Sequence, residues 1–181
     1  MKKNLIRQMV AVTLFSSLLV VVNCGRSSKG ELHLYPARIG TSYGYIDQRG
    51  RVKIKPRFES ARQFSEGIAA ISIGKEWGFI DFNGKVIAEP QFNEVEDFSE
   101  GLATVRKGDQ WGMIDKSGVL LFQREFRFVR RVHEGMAVAR TDSGWGFLDR
   151  SGKFTLPPRP GNVGDFSEGV AVAYDGEKNR D

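Results

Sequence analysis

Cysteine is almost absent from this chain, with Cys24 the one thiol among 181 residues. A disulfide framework and a multi-cysteine zinc site are thereby excluded. Histidine is nearly as scarce, at His33 and His133. No HExxH pair, no glycine-rich phosphate loop ahead of a helix and no complete calcium loop occurs in the sequence. With no recognisable nucleophile, base or ligand constellation, no enzyme activity, metal or cofactor is expected. His133 reads as a variation on a loop position. No apolar run reaches the ~20 residues that a membrane-spanning helix requires. A large surplus of one charge is also missing. The 27 Lys and Arg face 22 Asp and Glu, but Lys2, Lys3 and Arg7 lie in the first 23 residues with no acid among them, which leaves 24 bases against 22 acids. Nucleic acid is not an expected partner at so small a surplus.

What is present begins with an export signal. Lys2, Lys3 and Arg7 precede an apolar run from Met9 to Val22, which ends at Asn23-Cys24-Gly25. The window Val21-Val22-Asn23-Cys24 resembles a bacterial lipobox, in the looser form found in spirochaetes. That resemblance implies cleavage before Cys24, lipidation of its thiol and anchoring of an exported protein to a membrane of the cell envelope. Residues 1–23 are then a lipoprotein signal peptide and 24–32 a flexible tether.

Glycine is abundant, 21 of 181 residues against a usual ~7%, and its placement is periodic. Aromatic-glycine pairs stand at Tyr43-Gly44, Trp77-Gly78, Trp111-Gly112 and Trp145-Gly146, at one constant interval. Two apolar residues and an aspartate follow each pair, giving Asp47, Asp81, Asp115 and Asp149, and glycine comes three residues later. A Phe-Ser-Glu-Gly box recurs at Phe64, Phe98 and Phe166, with Val132-His133-Glu134-Gly135 as its divergent third copy. Internal repeats therefore organise the chain. Helical repeats can have the same period, but three glycines per unit cost ~1 kcal/mol each in a helix interior. Short segments rich in Ile, Val, Phe and Trp lie between them and favour strands.

The expected fold is an all-β tandem array of four 34-residue, three-stranded antiparallel meander repeats, open and curved or propeller-like, behind a signal-peptide helix. Residues 33–176 form this domain, with units starting at 43, 77, 111 and 145, and 177–181 form a tail. Each aspartate is expected to accept local backbone hydrogen bonds in a turn, with the following glycine at positive φ. Pro56, Pro90 and Pro157-Pro158 are expected to end the third strand. The aromatics of the aromatic-glycine pairs are expected to pack in the core over neighbouring Gly and Ala. The recurring Glu66, Glu100, Glu134 and Glu168 are expected to satisfy loop backbone; as a ladder on one rim they would bind cations weakly. Val170 to Tyr174 repeats the first strand once more. It either closes on the N-terminal strands, stands as an exposed edge, or belongs to a shortened array.

The signature W-G-F-I-D…G…P-x-F…F-S-E-G-x-A at residues 77–103, with its variants from 43, 111 and 145, resembles the WG (KWG) repeat of bacterial proteins. The resemblance implies β-rich repeats in exported or surface-associated proteins, with no shared catalytic activity or cofactor. A binding or scaffolding role for protein partners is the resulting expectation. The alternative is a glycan- or peptidoglycan-binding module using the repeated aromatics, and a part in an enzyme assembly ranks third. Two basic features break the repeat: Arg49, Arg51, Lys53, Lys55 and Arg57 alternate along one strand face, and Arg124, Arg127, Arg130 and Arg131 crowd one connection. Both are candidate interaction surfaces.

Overall fold

The computed structural model describes residues 33–122 and 126–174. The signal peptide, Cys24, the tether, Arg124 and everything beyond Tyr174 lie outside the described residues. All regular structure within them is β. The first sheet holds β1 (Tyr35–Ile39), β2 (Ser42–Ile46) and β3 (Val52–Phe58). The second is β4 (Ser60–Ala61), β5 (Ile68–Ile73), β6 (Glu76–Asp81) and β7 (Val86–Phe92). The third is β8 (Glu94–Val95), β9 (Leu102–Lys107), β10 (Gln110–Asp115) and β11 (Leu120–Phe122). The fourth is β12 (Phe128–Val129), β13 (Ala137–Thr141), β14 (Gly144–Leu148) and β15 (Phe154–Arg159), and a last pair joins β16 (Asn162–Val163) to β17 (Ala173–Tyr174). All pairings are antiparallel between neighbours in sequence, and no sheet closes into a barrel. The connection after the third strand carries a two-residue strand that pairs with the following unit, so inner sheets have four strands rather than the expected three.

Pleat alternation explains the packing. Along Ile68-Ala69-Ala70-Ile71 every side chain is buried, because successive residues point to opposite faces and both faces are covered. Ala69, Ile71 and Ile80 join Tyr45, Ile54 and Phe58 of the first sheet, and Leu34 just before it, in one cluster. Ile68, Ala70 and Phe79 face the other way, into a cluster with Ala103, Val105 and Ile114 of the third sheet. The same division recurs at the next boundary, where Leu102 and Met113 meet Ala137, Ala139 and Leu148. Each inner sheet thus lies between two others, and no unit has a private core.

One position in this frame is imperfect. Thr104 is buried and its hydroxyl has no hydrogen-bond partner among the described residues. Its counterparts in the flanking repeats are Ala70 and Val138. Thr104→Val keeps the shape and removes an orphaned polar atom, so it is expected to stabilise the chain by about 1 kcal/mol, read as a higher urea midpoint with unchanged slope.

The aromatic-glycine pair has a backbone purpose. Trp77 pairs with Phe92 and Phe79 with Ala88, so two steps on β6 span four on β7, and the bulge sits opposite Gly78. A Cβ on Gly78 would lie 2.5 Å from the Ala88 carbonyl oxygen and 2.7 Å from the Pro90 nitrogen. Gly44 and Gly146 meet the backbones of β3 and β15 in the same way. The prolines therefore lie inside the third strand, correcting the expectation that they end it. Pro56 belongs to β3, Pro90 to β7 and Pro157-Pro158 to β15. In the first, second and fourth sheets the third strand is an edge with a bulge, where a missing N–H donor is tolerated.

Candidate interaction surface and the clasp between repeats

The aspartate turns form as their spacing requires. Asp47 Oδ1 accepts from the amides of Arg49 and Arg51 at 2.9 and 3.0 Å. Asp81, Asp115 and Asp149 accept from the amides two and four residues on. Gly50, Gly84, Gly118 and Gly152 take φ between 75° and 88°.

The recurring glutamates act across repeats, which their spacing alone does not reveal. Glu66 accepts from the backbone amides of Glu100 and Gly101 at 2.6 and 2.9 Å. Glu100 does the same for Glu134 and Gly135 at 2.6 and 2.7 Å, and Glu134 for Glu168 and Gly169 at 2.8 Å each. Each carboxylate caps the turn that carries the next carboxylate. These four glutamates are also the non-glycine residues at positive φ among the described residues, between 50° and 52°. Such a conformation costs an L-residue ~1–2 kcal/mol and persists where surrounding bonds over-determine it. A cation from the unit after next completes two of the clasps: Lys116 Nζ stands 2.9 Å from Glu66, and an Arg150 terminal nitrogen 2.7 Å from Glu100. The oxygens of Glu66, Glu100 and Glu134 are thus engaged by backbone amides, and those of the first two by cations as well. No group of three or more His, Cys, Asp or Glu is placed to hold a metal among the described residues.

These bonds hold the carboxyls below the usual glutamate range. Lys116 is the main cause at Glu66 and Arg150 at Glu100, and the accepted backbone amides add to it in each case. At Glu134 the amides of Gly169 and Glu168 lead. A pKa lower in the folded state contributes stability above the unfolded value of about 4.3, and that contribution is lost as pH falls through the folded value. Urea midpoints are therefore expected to drop between pH 7 and pH 3. The triple variant Glu66→Gln, Glu100→Gln, Glu134→Gln should start lower at pH 7 and show a smaller drop.

The first basic group is only partly on a strand face: Lys53, Lys55 and Arg57 lie on β3, Arg49 and Arg51 precede it in and after the Asp47 turn, and all five are exposed. Its charge is partly consumed. Arg51 donates from Nε to Asp47 at 2.7 Å, Lys53 lies 3.7 Å from the same carboxylate, and Arg57 donates to the Gly84 carbonyl oxygen at 3.0 Å. The Arg51 bond holds Asp47 down at about 2. Lys55 has no partner among the described residues. In the second group Arg127 forms a two-pronged pair with Asp142 at 2.8 and 2.9 Å, while Arg130 binds Asp165 at 2.7 Å and lies over the Trp145 ring. Arg131 is exposed and free of any ion pair among the described residues. It opens with Arg130, His133, Asp165, Phe166 and Ser167 onto a cleft of about 470 Å³.

Trp77, Trp111 and Trp145 are half-buried, not fully within the core, and Tyr43 matches them. Their inner edges support the clusters. Their outer faces meet other groups: Arg62 lies 4.7 Å above Trp77, and Phe128 stands edge-on to Trp111. Trp77 and Trp111 line a smaller cleft of about 180 Å³ with Arg62, Asn93, Glu94 and Glu96. Gly112, buried beside Trp111, completes the set of aromatic-glycine pairs.

Comparison with known proteins agrees with this geometry. The comparison with curated proteins produced no match. Among solved structures, one described as "Crystal structure of the eukaryotic initiation factor" aligns with a TM-score of 0.52 at 14% identity, over 83% of this chain and 47% of that one. At that identity the likeness concerns the fold alone, and this chain spans about half the length of its structural relative. The family model described as "WG containing repeat" matches residues 43–77, 77–111, 111–144 and 145–178. Four consecutive matches over most of the chain, each starting at the aromatic of an aromatic-glycine pair, make this protein a member of the WG-containing-repeat family.

Proposed function

We propose that this protein is an exported, membrane-anchored lipoprotein of the cell envelope whose WG repeats serve as a binding or scaffolding surface for other envelope proteins. The observation that carries the reading is the division of labour among polar groups. Recurring acids are spent on the chain's own turns and clasps, and groups that break the repeat, Lys55 and Arg131 above all, remain available at the surface. Connecting segments on a rigid frame are where binding residues concentrate. The anchor is Cys24, behind its apolar run. Two acyl chains or more make such an anchor stable. Palmitate labelling is expected on the native chain and absent from Cys24→Ser; an unlabelled native chain overturns the anchor. Cross-linked pull-down from envelope extract, with Arg131→Glu as the comparison, tests the surface, and equal recovery of every partner by both chains overturns the role of the second basic group.

A second reading is glycan binding. It is favoured by the half-buried Trp77 and Trp111, which share a cleft with Asn93, Glu94 and Glu96, since aromatic faces stack on sugars and side-chain amides and carboxylates orient hydroxyls. Quenching of tryptophan fluorescence by peptidoglycan fragments, lost in Trp77→Ala, is its expected result.

A further inference from the structure

The first and last described strands present the two halves of one interface. Every inner boundary joins a forward face to a backward face. The forward face of the second sheet is Ile68, Ala70 and Phe79, that of the third Leu102, Thr104 and Met113, and these side chains are all buried. The backward face of the second, third and fourth sheets is Ala69, Ile71 and Ile80, then Ala103, Val105 and Ile114, then Ala137, Ala139 and Leu148, again all buried. Moving these positions along by the repeat reaches Val170 and Val172 at the forward end, with Tyr174 next on the same side of the strand, and Tyr35, Ala37 and Ile46 at the backward end. Val170 is 67% exposed, Val172 56% and Tyr174 62%, and Tyr35 is 44% exposed. Ala37 and Ile46 are half-buried although their counterparts are fully enclosed.

The clasp repeats this asymmetry. Glu66, Glu100 and Glu134 each reach forward to the next turn. Glu168 has the same positive φ, at 52°. Its side chain is exposed and accepts no backbone amide among the described residues. By repeat spacing, the turn that this carboxylate would cap in a following β1 sheet is the segment leading into β1.

We propose that a second copy of this chain docks head to tail, the forward face around Val172 of one copy covering the backward face around Tyr35 of the next. The occupant is a second copy because of the pattern that covers a forward face at each inner boundary. That pattern is small or β-branched residues on the first long strand of the unit and an aliphatic on the second, and the β1–β2 face carries it with Tyr35 as the larger member. The contact is heterologous, so copies add in one direction and form a closed ring or a filament according to the rotation per copy. The inference stands independently of the ligand-binding reading above, since it needs neither basic group.

Cysteine cross-linking of the purified full chain in mild detergent tests it, on a Cys24→Ser background so that no other thiol is present. Tyr35→Cys and Val172→Cys are chosen because Ala103 and Ala70, their counterparts across an inner boundary, share one cluster. The chain carrying both substitutions is expected to give, under mild oxidation, a ladder of multiples of 20.3 kDa. An equal mixture of the two single variants should stop at the dimer, and each single variant alone should remain monomeric. Dimerisation of Val172→Cys by itself overturns the proposal in favour of edge-to-edge pairing of β17. A double variant that cross-links within one chain overturns it in favour of intramolecular closure, and absence of any cross-link overturns it in favour of faces covered by the chain's own remaining segments. As a check without cysteines, Val172→Glu is expected to weaken association in mild detergent at least tenfold by sedimentation. Ile73→Glu, an exposed apolar position outside both end faces, should leave it unchanged; equal weakening by both overturns the proposal.

Discussion

Phe79→Ala is expected to lower the stability of the chain by about 3–5 kcal/mol, measured by urea denaturation with the native slope retained. Phe79 is 1% exposed and lies where the second and third sheets meet. Its ring stands 5.2 Å from that of Phe98, nearly perpendicular, and 6.3 Å from that of Phe92. Truncation removes apolar surface and leaves a cavity that backbone pairing on both sides prevents from collapsing. Because neighbouring sheets share this cluster, loss of Phe79 weakens two of them at once, and the domain's total stability is ordinarily only ~5–15 kcal/mol. A cost below about 1 kcal/mol would contradict the two-faced packing described here.

Gly78→Ala is expected to cost about 3 kcal/mol, although alanine is a small residue and the backbone there does not require a positive φ. The cost is steric. The new Cβ would meet the Ala88 carbonyl oxygen, the Pro90 nitrogen and the Glu89 carbonyl carbon, all within 2.9 Å and all backbone. No rotamer change relieves such contacts; β6 and β7 must separate at the bulge. Gly74→Ala serves as the comparison. Gly74 takes φ of 62° in the hairpin between β5 and β6, with open space around a Cβ. That variant is expected to lose only about 1–2 kcal/mol from strain. Equal losses for the two would show that conformational freedom, not close approach, explains the glycine of the aromatic-glycine pair.

The contrast between these two glycines marks the reach of sequence reasoning. Gly78 recurs with the repeat and reads as required, but its neighbours in the chain do not say why. The aspartate turns are legible in full, because an Asp and a Gly three residues apart close their hydrogen bonds locally, within Asp47 to Arg51 and its copies. The bulge is not, since Trp77-Gly78 says nothing about how many residues of β7 pass opposite, and so Pro90, expected at a strand end, lies within the strand. The short strands escape sequence reading for a related reason: Glu94-Val95 has two residues and no alternation to detect, and only the presence of β9 beside it makes it a strand.

The candidate surfaces divide in the same way. The exposure of Arg51, Lys53, Lys55 and Arg57 is legible in the chain, although Arg51 lies before β3 and not on it, but their pairing with Asp47 and the Gly84 carbonyl depends on groups brought in from across a turn or from the next unit. The recurrence of Glu66, Glu100 and Glu134 is plain in the chain, and so are Lys116 and Arg150 as bases. That each glutamate serves the following repeat, and that two of them draw a cation from the unit beyond it, has no counterpart in local spacing.

The period, the β class, the hairpins and the aspartate turns are written in the chain itself, because they follow from steric preferences and hydrogen bonds that close within a few residues. Stacking of the sheets settles everything else: which face of each strand meets which neighbour, why the glycine after the aromatic is needed, and where the recurring acids are spent. Those outcomes depend on contacts about 34 residues apart in the chain, where one sheet laid on the next brings together groups whose separation no local pattern encodes.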